Sequence, residues 1–424
     1  MRIRHAHSAC AFGMRIGTGR GSNTGLPCTA ADAPQSLVLG LGVNNSRFFK
    51  GVRRVSVCVY SYAMARSIIG RRSYKGRGAL SNPAGRFETQ QLGEVDDGWY
   101  QDEVPESIPT TLEPDRARGV ISTNDSPDIP FEQSINPYRG CAHGCPYCYA
   151  RPSHAYMGLS PGLDFETRLF YKADAAKVLE AELARPGYVC KSITLGANTD
   201  PYQPVERSMG VTRAILEVLA RTRHPVALIT KSALVLRDLD LLTDMARDHL
   251  VSVAVSVTTL DTELKRRMEP QTASPQARLR TLAALSAAGV PTAVMAAPMI
   301  PALNDHELEA ILEAAAGAGA CWAGYVLLRL PYEIKHLFRE WLGEHYPDRA
   351  AHVMSLIREM RGGRDYDSSF GTRMRGTGPY AQLLSNRFRL ACRRLKLNSG
   401  AREPLNTVLF RPPGPGGAQL HLEL

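Results

Sequence analysis

NPYRGCAHGCPYCYA (Asn136–Ala150) holds three cysteines, Cys141, Cys145 and Cys148, in a C-x3-C-x2-C spacing directly after a run that reads as a strand. Three thiolates this close together can hold three corners of a cubic iron–sulfur cluster, and no fourth cysteine stands at a matching local spacing. One iron would then keep an open position, which makes it a site for chemistry as well as for electron storage. Zinc is the alternative, but His143 would have to serve as fourth ligand from inside the tight turn. A disulfide would leave one thiol over, and the nine cysteines show no secreted-framework spacing. The other six (Cys10, Cys28, Cys58, Cys190, Cys321 and Cys392) are scattered and read as small apolar residues or free thiols.

Outward from this loop, short β-rich runs alternate with amphipathic stretches. Strands are expected at SIN (134–136), SITLGA (192–197), VALIT (226–230), VSVAVSV (251–257), TAVMAAP (292–298) and GYVLLRL (324–330). Helices are expected over 175–184, 211–223, 235–248, 274–289 and 305–319, with stop signals such as Gly289 followed by Pro291. Repeated β-α units imply a parallel sheet covered by helices, with chemistry at the C-terminal ends of the strands. The cysteine loop stands where that rule puts it.

The second strand runs into LGANTDPYQPVER (Leu195–Arg207), which sets Asn198, Thr199 and Asp200 beside the loop. Alone, this is an Asx/Pro turn. Together with the cysteine loop it resembles the radical SAM superfamily, in particular its spore photoproduct lyase-like branch. KGRGALSNPAGRFE (75–88) and RDYDSSFGTRMRGTGPYAQLL (364–384) resemble blocks of a bacterial subfamily of that branch whose substrate is unknown. The resemblance spans about residues 70–412 and implies a partial (β/α)6 TIM-like barrel with N- and C-terminal extensions. It also implies an enzyme that uses a 4Fe–4S cluster on Cys141, Cys145 and Cys148 to cleave S-adenosylmethionine reductively. The 5′-deoxyadenosyl radical so formed would abstract hydrogen from a substrate. By resemblance, S-adenosylmethionine meets Asn198, Asp200, Lys231 and Ser256, with Asp200 taking the methionine amine or the ribose and Lys231 the carboxylate. PMIPALND (298–305) lies against the adenine. Tyr147 and Tyr149 match two loop tyrosines that help return a hydrogen to the substrate radical. From the residues alone, Lys231 reads equally as a solvated strand end, and the tyrosines as packed aromatics with a polar tip. One departure stands out. The lyase has a hydrogen-donating cysteine just ahead of the second-strand Asp, and Ala197 stands there in this chain. Cys190, at the far end of that strand, is no substitute.

The formal charge of +10 is unevenly placed. Residues 1–87 hold fourteen Lys/Arg against Asp32 alone, whereas the remaining 337 residues hold 37 Lys/Arg against 40 Asp/Glu. Residues 1–63 show no helical or strand period and are expected to be disordered or a non-native upstream extension, with Met64 as a sensible start; a presequence is the alternative. The organisation expected is this extension, a lead-in over 64–130, the barrel over 131–346, and a helical C-terminal extension over 347–424. No apolar run reaches the ~20 residues that span a bilayer. A reducing cytoplasm fits the cluster.

Between residues 361 and 396, nine Lys/Arg face only Asp365 and Asp367. Arg373, Arg375, Arg387 and Arg389 could therefore meet a nucleic-acid backbone, although a charged run on a terminal helix is usually a solvated face. Two rival functions follow: repair or modification of a nucleobase in DNA or RNA, and a non-catalytic metal-bearing nucleic-acid-binding protein. The enzyme readings require a reducing electron donor such as flavodoxin or ferredoxin.

Overall fold

A computed structural model describes residues 73–88, 107–400 and 403–414. The extension over 1–63, the start at Met64 and the closing apolar run lie outside the described residues. The strands are β1 (Thr111–Pro114), β2 (Ile121–Thr123), β3 (Gln133–Ile135), β4 (Tyr138–Arg139), β5 (Arg168–Tyr171), β6 (Ile193–Leu195), β7 (Val226–Thr230), β8 (Val251–Ser256), β9 (Thr292–Met299) and β10 (Trp322–Leu327). Seven of them form one sheet in the order β10-β9-β8-β7-β6-β3-β2. From β3 to β10 every neighbouring pair is parallel, and β2 joins the β3 edge antiparallel. Six parallel strands laid down in chain order wind as a (β/α) barrel does, but β10 and β2 remain separate edges. The expected partial (β/α)6 barrel is the fold observed.

The pattern in the sequence explains these elements. VALIT and VSVAVS alternate buried and half-buried residues, as β-branched strands do under a helix layer. The helix Val211–Arg221 buries Val211, Ile215, Leu216, Val218 and Leu219 along one stripe. The helix Pro275–Ala287 begins at Ser274, whose hydroxyl accepts from the Ala277 N–H at 3.2 Å, with proline in the first turn. It stops where expected, with Gly289 at φ +77°.

Two cores result. One lies between the sheet and its helices, around Ile193, Leu228, Val253, Val294 and Leu312. The other sits at the C-terminal strand ends, where the helices Ile334–His345 and Pro347–Glu359 bring Ile334, Phe338, Trp341 and Val353 against Ile300, Leu330, Cys145 and Tyr147. The C-terminal extension also covers the β10 edge. Asn398 accepts from the Ala323 N–H at 2.9 Å and donates to its carbonyl at 3.1 Å, so that edge backbone is satisfied.

Three features differ from the sequence reading. β1, β5 and β4 make a small second sheet, and β2 arises in the lead-in read as mostly irregular. These strands, of two to four residues, are too short to carry a period. The helix Thr262–Met268 was also passed over, although Asp261 caps it by accepting from the Glu263 and Leu264 N–H groups. Among the described residues, no helix is long and apolar enough to cross a membrane.

Candidate active site

The cysteine loop needs its glycines. Gly140 and Gly144 take φ of +75° and +70°, and a Cβ on Gly144 would stand 2.9 Å from a Glu166 oxygen. Backbone groups of the loop are then pinned one at a time. Cys141 N–H donates to the Phe165 carbonyl (2.8 Å), and Ala142 N–H donates to Gln203 Oε1 (2.9 Å). Gln203 Nε2 returns a bond to the Gly140 carbonyl (3.2 Å), and Arg151 Nε donates to the Cys145 carbonyl (2.8 Å).

Arg151 and Glu166 are both fully buried (0% exposed) and form an ion pair behind the loop. Arg151 also donates to the carbonyls of Pro161 (3.0 Å) and Gly162 (2.8 Å). Glu166 accepts from the N–H groups of Gly78 (2.9 Å) and Ala79 (2.8 Å). The segment 75–88 is thereby laid on the cysteine loop, so closely that a Cβ on Gly78 would fall 1.7 Å from the Gly144 carbonyl oxygen.

Cys141 and Cys145 are buried and Cys148 is half-buried. Burial, then Asp200 and Cys148, pushes the Cys141 thiol up to about 12. Burial, then Glu269, raises Cys145 well above its usual value, and the Lys231 ammonium opposes this. Burial also raises Cys148, against Arg151 and Lys231. Three neighbouring thiols, all raised by burial, need a positive centre to become thiolates, and the donor set therefore fits an iron–sulfur cluster. Among the described residues, no three His, Cys, Asp or Glu side chains are grouped to hold one metal ion. His143 is turned toward Asp200, with Nδ1 3.4 Å from Oδ2, and burial lowers its pKa.

Asp200, Lys231 and Ser256 stand at the C-terminal ends of the adjacent strands β6, β7 and β8, on the side of the loop. Asp200 is already engaged. Oδ1 accepts from Thr230 Oγ1 (2.7 Å) and the Tyr202 N–H (2.9 Å), and Oδ2 accepts from the Lys231 N–H (2.8 Å). Asn198 N–H donates to Asn136 Oδ1 (2.9 Å). Ser256 is buried, and its carbonyl accepts from Arg278 Nη1 (3.0 Å). Over 298–305, Asn304 cinches the turn by accepting from the Ile300 N–H (2.6 Å) and donating to the carbonyls of Thr258 (2.7 Å) and Pro298 (3.0 Å).

The two loop tyrosines part company. Tyr149 is 46% exposed, and its hydroxyl donates to the Ala197 carbonyl at the end of β6. Tyr147 is 6% exposed and points into the second core, where its hydroxyl bonds Glu269. Glu269 also accepts from Thr258 Oγ1 (2.7 Å) and pairs with Arg278. Burial pushes the Glu269 carboxyl up, but Arg278, Lys231 and its hydrogen bonds hold it down at about 2. Cys190 precedes β6 at the opposite end of the strand from Ala197, and burial raises its thiol to about 11.

The basic run is largely engaged within the chain. Arg373 pairs with Asp128 and Arg387 with Glu309, while Arg375 lies over the Tyr325 ring at 4.5 Å. Among the described residues, Arg389 donates to Asn386 at 2.8 Å and has no carboxylate partner.

Sequence reasoning missed Arg151, Glu166, Glu269, Arg278 and Arg329. Gln203 and Glu206 stood in the quoted NTDPYQPVER, where polar residues directly beyond a strand end beside the cysteine loop were the available signal. Glu206 is fully buried and takes the Tyr138 hydroxyl, the Thr212 N–H (3.0 Å) and Arg237 Nη2 (2.7 Å).

Residues 135–315 match the Radical SAM superfamily. An uncharacterized protein of Mycobacterium tuberculosis (strain ATCC 25618 / H37Rv) is 40% identical over 232 residues, which cover 54% of this chain and 68% of that one. An uncharacterized protein of Methanocaldococcus jannaschii is 27% identical over 214 residues, covering 50% of this chain and 76% of its own. Among solved structures, a spore photoproduct lyase complexed with dinucleoside spore photoproduct superimposes with a TM-score of 0.50 at 16% identity, covering 67% of this chain and 79% of that one. That likeness is one of fold. The chain belongs to the radical SAM superfamily. It is an enzyme whose cofactors are those of the superfamily, a 4Fe–4S cluster and S-adenosylmethionine.

Proposed function

We propose that Cys141, Cys145 and Cys148 hold the cluster, and that the chain uses it to start hydrogen abstraction from a substrate. When bound, the cluster supplies one electron to the sulfonium of S-adenosylmethionine, which releases a 5′-deoxyadenosyl radical. The observation that carries the reading is the trio of neighbouring thiols, two buried and one half-buried, in a loop pinned by Phe165, Gln203 and Arg151, with the Lys231 ammonium lowering the thiol pKa values of Cys145 and Cys148.

Lys231 and Ser256 are proposed to hold the methionine end, with Lys231 facing its carboxylate. Asp200 acts through others: its carboxylate fixes the Lys231 backbone and turns His143. Asn198 lines the same strand end. Tyr149, half-exposed beside Ala197, is the tyrosine fitted to face substrate, and Tyr147 braces the loop from behind. With Ala197 in place of a cysteine, the hydrogen given back to a substrate radical would have to come from another group. The nucleic-acid reading through the basic run is not favoured, because Arg373 and Arg387 are paired internally.

The test is anaerobic reconstitution of the chain with iron and sulfide, followed by reduction, addition of S-adenosylmethionine and assay of 5′-deoxyadenosine. Production is expected, and it should vanish when the three cysteines are replaced by alanine. Lys231→Ala should keep its iron and lose about tenfold in affinity for S-adenosylmethionine, read by equilibrium binding. Stoichiometric zinc with no iron–sulfur absorbance would sink the proposal.

A further inference from the structure

Arg329 follows β10 by two residues and so stands at the same end of the sheet as the cysteine loop. Other buried or half-buried arginines at this end of the fold have a carboxylate partner: Arg151 has Glu166, Arg278 has Glu269, and Arg237 has Glu206 and Asp238. Arg329 has none among the described residues. Nη1 meets the Met374 sulfur at 3.6 Å, and Nη2 meets the Tyr366 hydroxyl at 3.4 Å. Its Nε is buried with no hydrogen-bond partner. The guanidinium carbon lies 5.2 Å from the centroid of the Tyr149 ring, which ties it to the site mouth.

A second guanidinium adds to the local charge. Arg361 is buried, with Nη1 on the Thr372 carbonyl (2.9 Å) and Nη2 on the Leu328 carbonyl (2.9 Å). Burial, then the charge of Arg329, lowers its pKa; Asp367 opposes this, but its own oxygens accept from Ser369 and Thr372. A guanidinium is always charged and carries five donors in a fixed fork, so an unused Nε–H beside a second positive charge is an unfavourable arrangement that an anion would reverse.

We propose that Arg329, flanked by Tyr149 and Tyr366, receives an anionic group of the substrate, a phosphate or a carboxylate, and holds it at the mouth of the site. This rests on the enzyme reading above and adds a chemical requirement to the unidentified substrate. The fork fits the two oxygens of either anion, and the aromatic ring beside it keeps the guanidinium in place without using up an N–H donor.

The experiment follows the Arg329 Nε–H signal by NMR in the full-length chain with labelled arginine, the signal being assigned through Arg329→Lys. Inorganic phosphate and acetate are titrated separately. A saturable shift is expected in the wild-type chain, and the same titrations followed by calorimetry, which needs no Arg329 signal, should show binding weakened about tenfold or more in Arg329→Gln, less in Arg329→Lys, and unchanged in the distant control Arg266→Gln. Saturation by phosphate alone assigns a phosphorylated substrate, and saturation by acetate alone a carboxylate. No saturable shift with either anion, or equal binding in Arg329→Gln, overturns the proposal. Formation of 5′-deoxyadenosine by the reconstituted wild-type chain is measured alongside. If it fails while anion binding persists, the enzyme reading falls and the anion site stands; the opposite pair of results removes only the anion site.

Discussion

Tyr149 and Arg329 meet across the mouth of the site, ring centroid and guanidinium carbon 5.2 Å apart. Tyr149 follows β4 and bonds the end of β6, whereas Arg329 follows β10, so the contact spans the side on which the sheet stays open. A cation–π pair at a half-exposed position contributes about 0.5–1 kcal/mol.

The opposite placements of the loop tyrosines give a paired test. Tyr147→Phe removes a buried donor to Glu269 and should cost about 1–3 kcal/mol in urea unfolding. Tyr149→Phe keeps the ring under Arg329 and should cost less than about 1 kcal/mol, since the lost hydroxyl bond is water-accessible. Equal costs would mean that the two phenols share one environment.

Breaking the Arg151–Glu166 pair should damage the loop more than the rest of the fold. Arg151→Ala strands a buried carboxylate and frees the Cys145 carbonyl, and about 3–5 kcal/mol of stability should go with it. Iron bound per chain after reconstitution should fall in parallel. The double change Arg151→Met with Glu166→Gln should recover part of the stability but not the iron, because Met cannot donate to the Cys145 carbonyl and a Gln amide offers one acceptor oxygen to the two N–H groups of Gly78 and Ala79. Full retention of iron in Arg151→Ala would show that the loop stands without its brace.

Gly78→Ala should act at a distance in sequence. The added Cβ would collide with the Gly144 carbonyl at 1.7 Å, contact by backbone that cannot swing aside. The segment must lift off the cysteine loop, at about 1–3 kcal/mol, with loss of iron–sulfur absorbance on mild oxidation. Gly414→Ala, with open space around it, serves as control.

The Asp128–Arg373 pair sets a pH dependence. The hydrogen bond from Arg373 holds the Asp128 carboxyl below its ordinary value, against its burial. A lowered folded pKa contributes stability that is present above the unfolded value of about 3.9 and is lost as pH falls through the folded one. The difference in unfolding free energy between wild type and Asp128→Asn should therefore be flat from neutral pH down to about pH 5 and should shrink on further acidification. A difference that grows as pH falls would contradict the pair. The same geometry means that charge reversal of Arg373 perturbs folding, so it is a poor probe of nucleic-acid binding on its own.

Much of the fold was legible because β-branched runs and helical stripes repeat locally: VALIT matches β7 residue for residue, and Gly289 ends its helix as read. The cysteine loop and the strand-end residues Asp200, Lys231 and Ser256 were legible from spacing and resemblance, and they stand at one end of the sheet. What holds them was not. Arg151 and Glu166 are fifteen residues apart, Gly78 is far upstream of Gly144, and Arg329 looks in sequence like any arginine in LRLPYE. Such contacts are made by tertiary packing and leave no periodic trace. The engagement of Asp200 by Thr230 and Lys231 was likewise invisible, since only the register of β6 against β7 brings them together.

The ties on the cysteine loop also impose an order of events. Gly78 and Glu166 leave the ribosome close to the loop itself, but Glu269, which anchors Tyr147, is made 122 residues after it. Until then a nascent chain carries three thiols on a loop with its rear support missing. Metal delivery during synthesis would meet an unsupported, oxidisable target, so the fold favours loading after the fourth strand of the parallel series and the helix Thr262–Met268 behind it have emerged. A cell that makes this protein has reason to keep the young chain reduced for that interval.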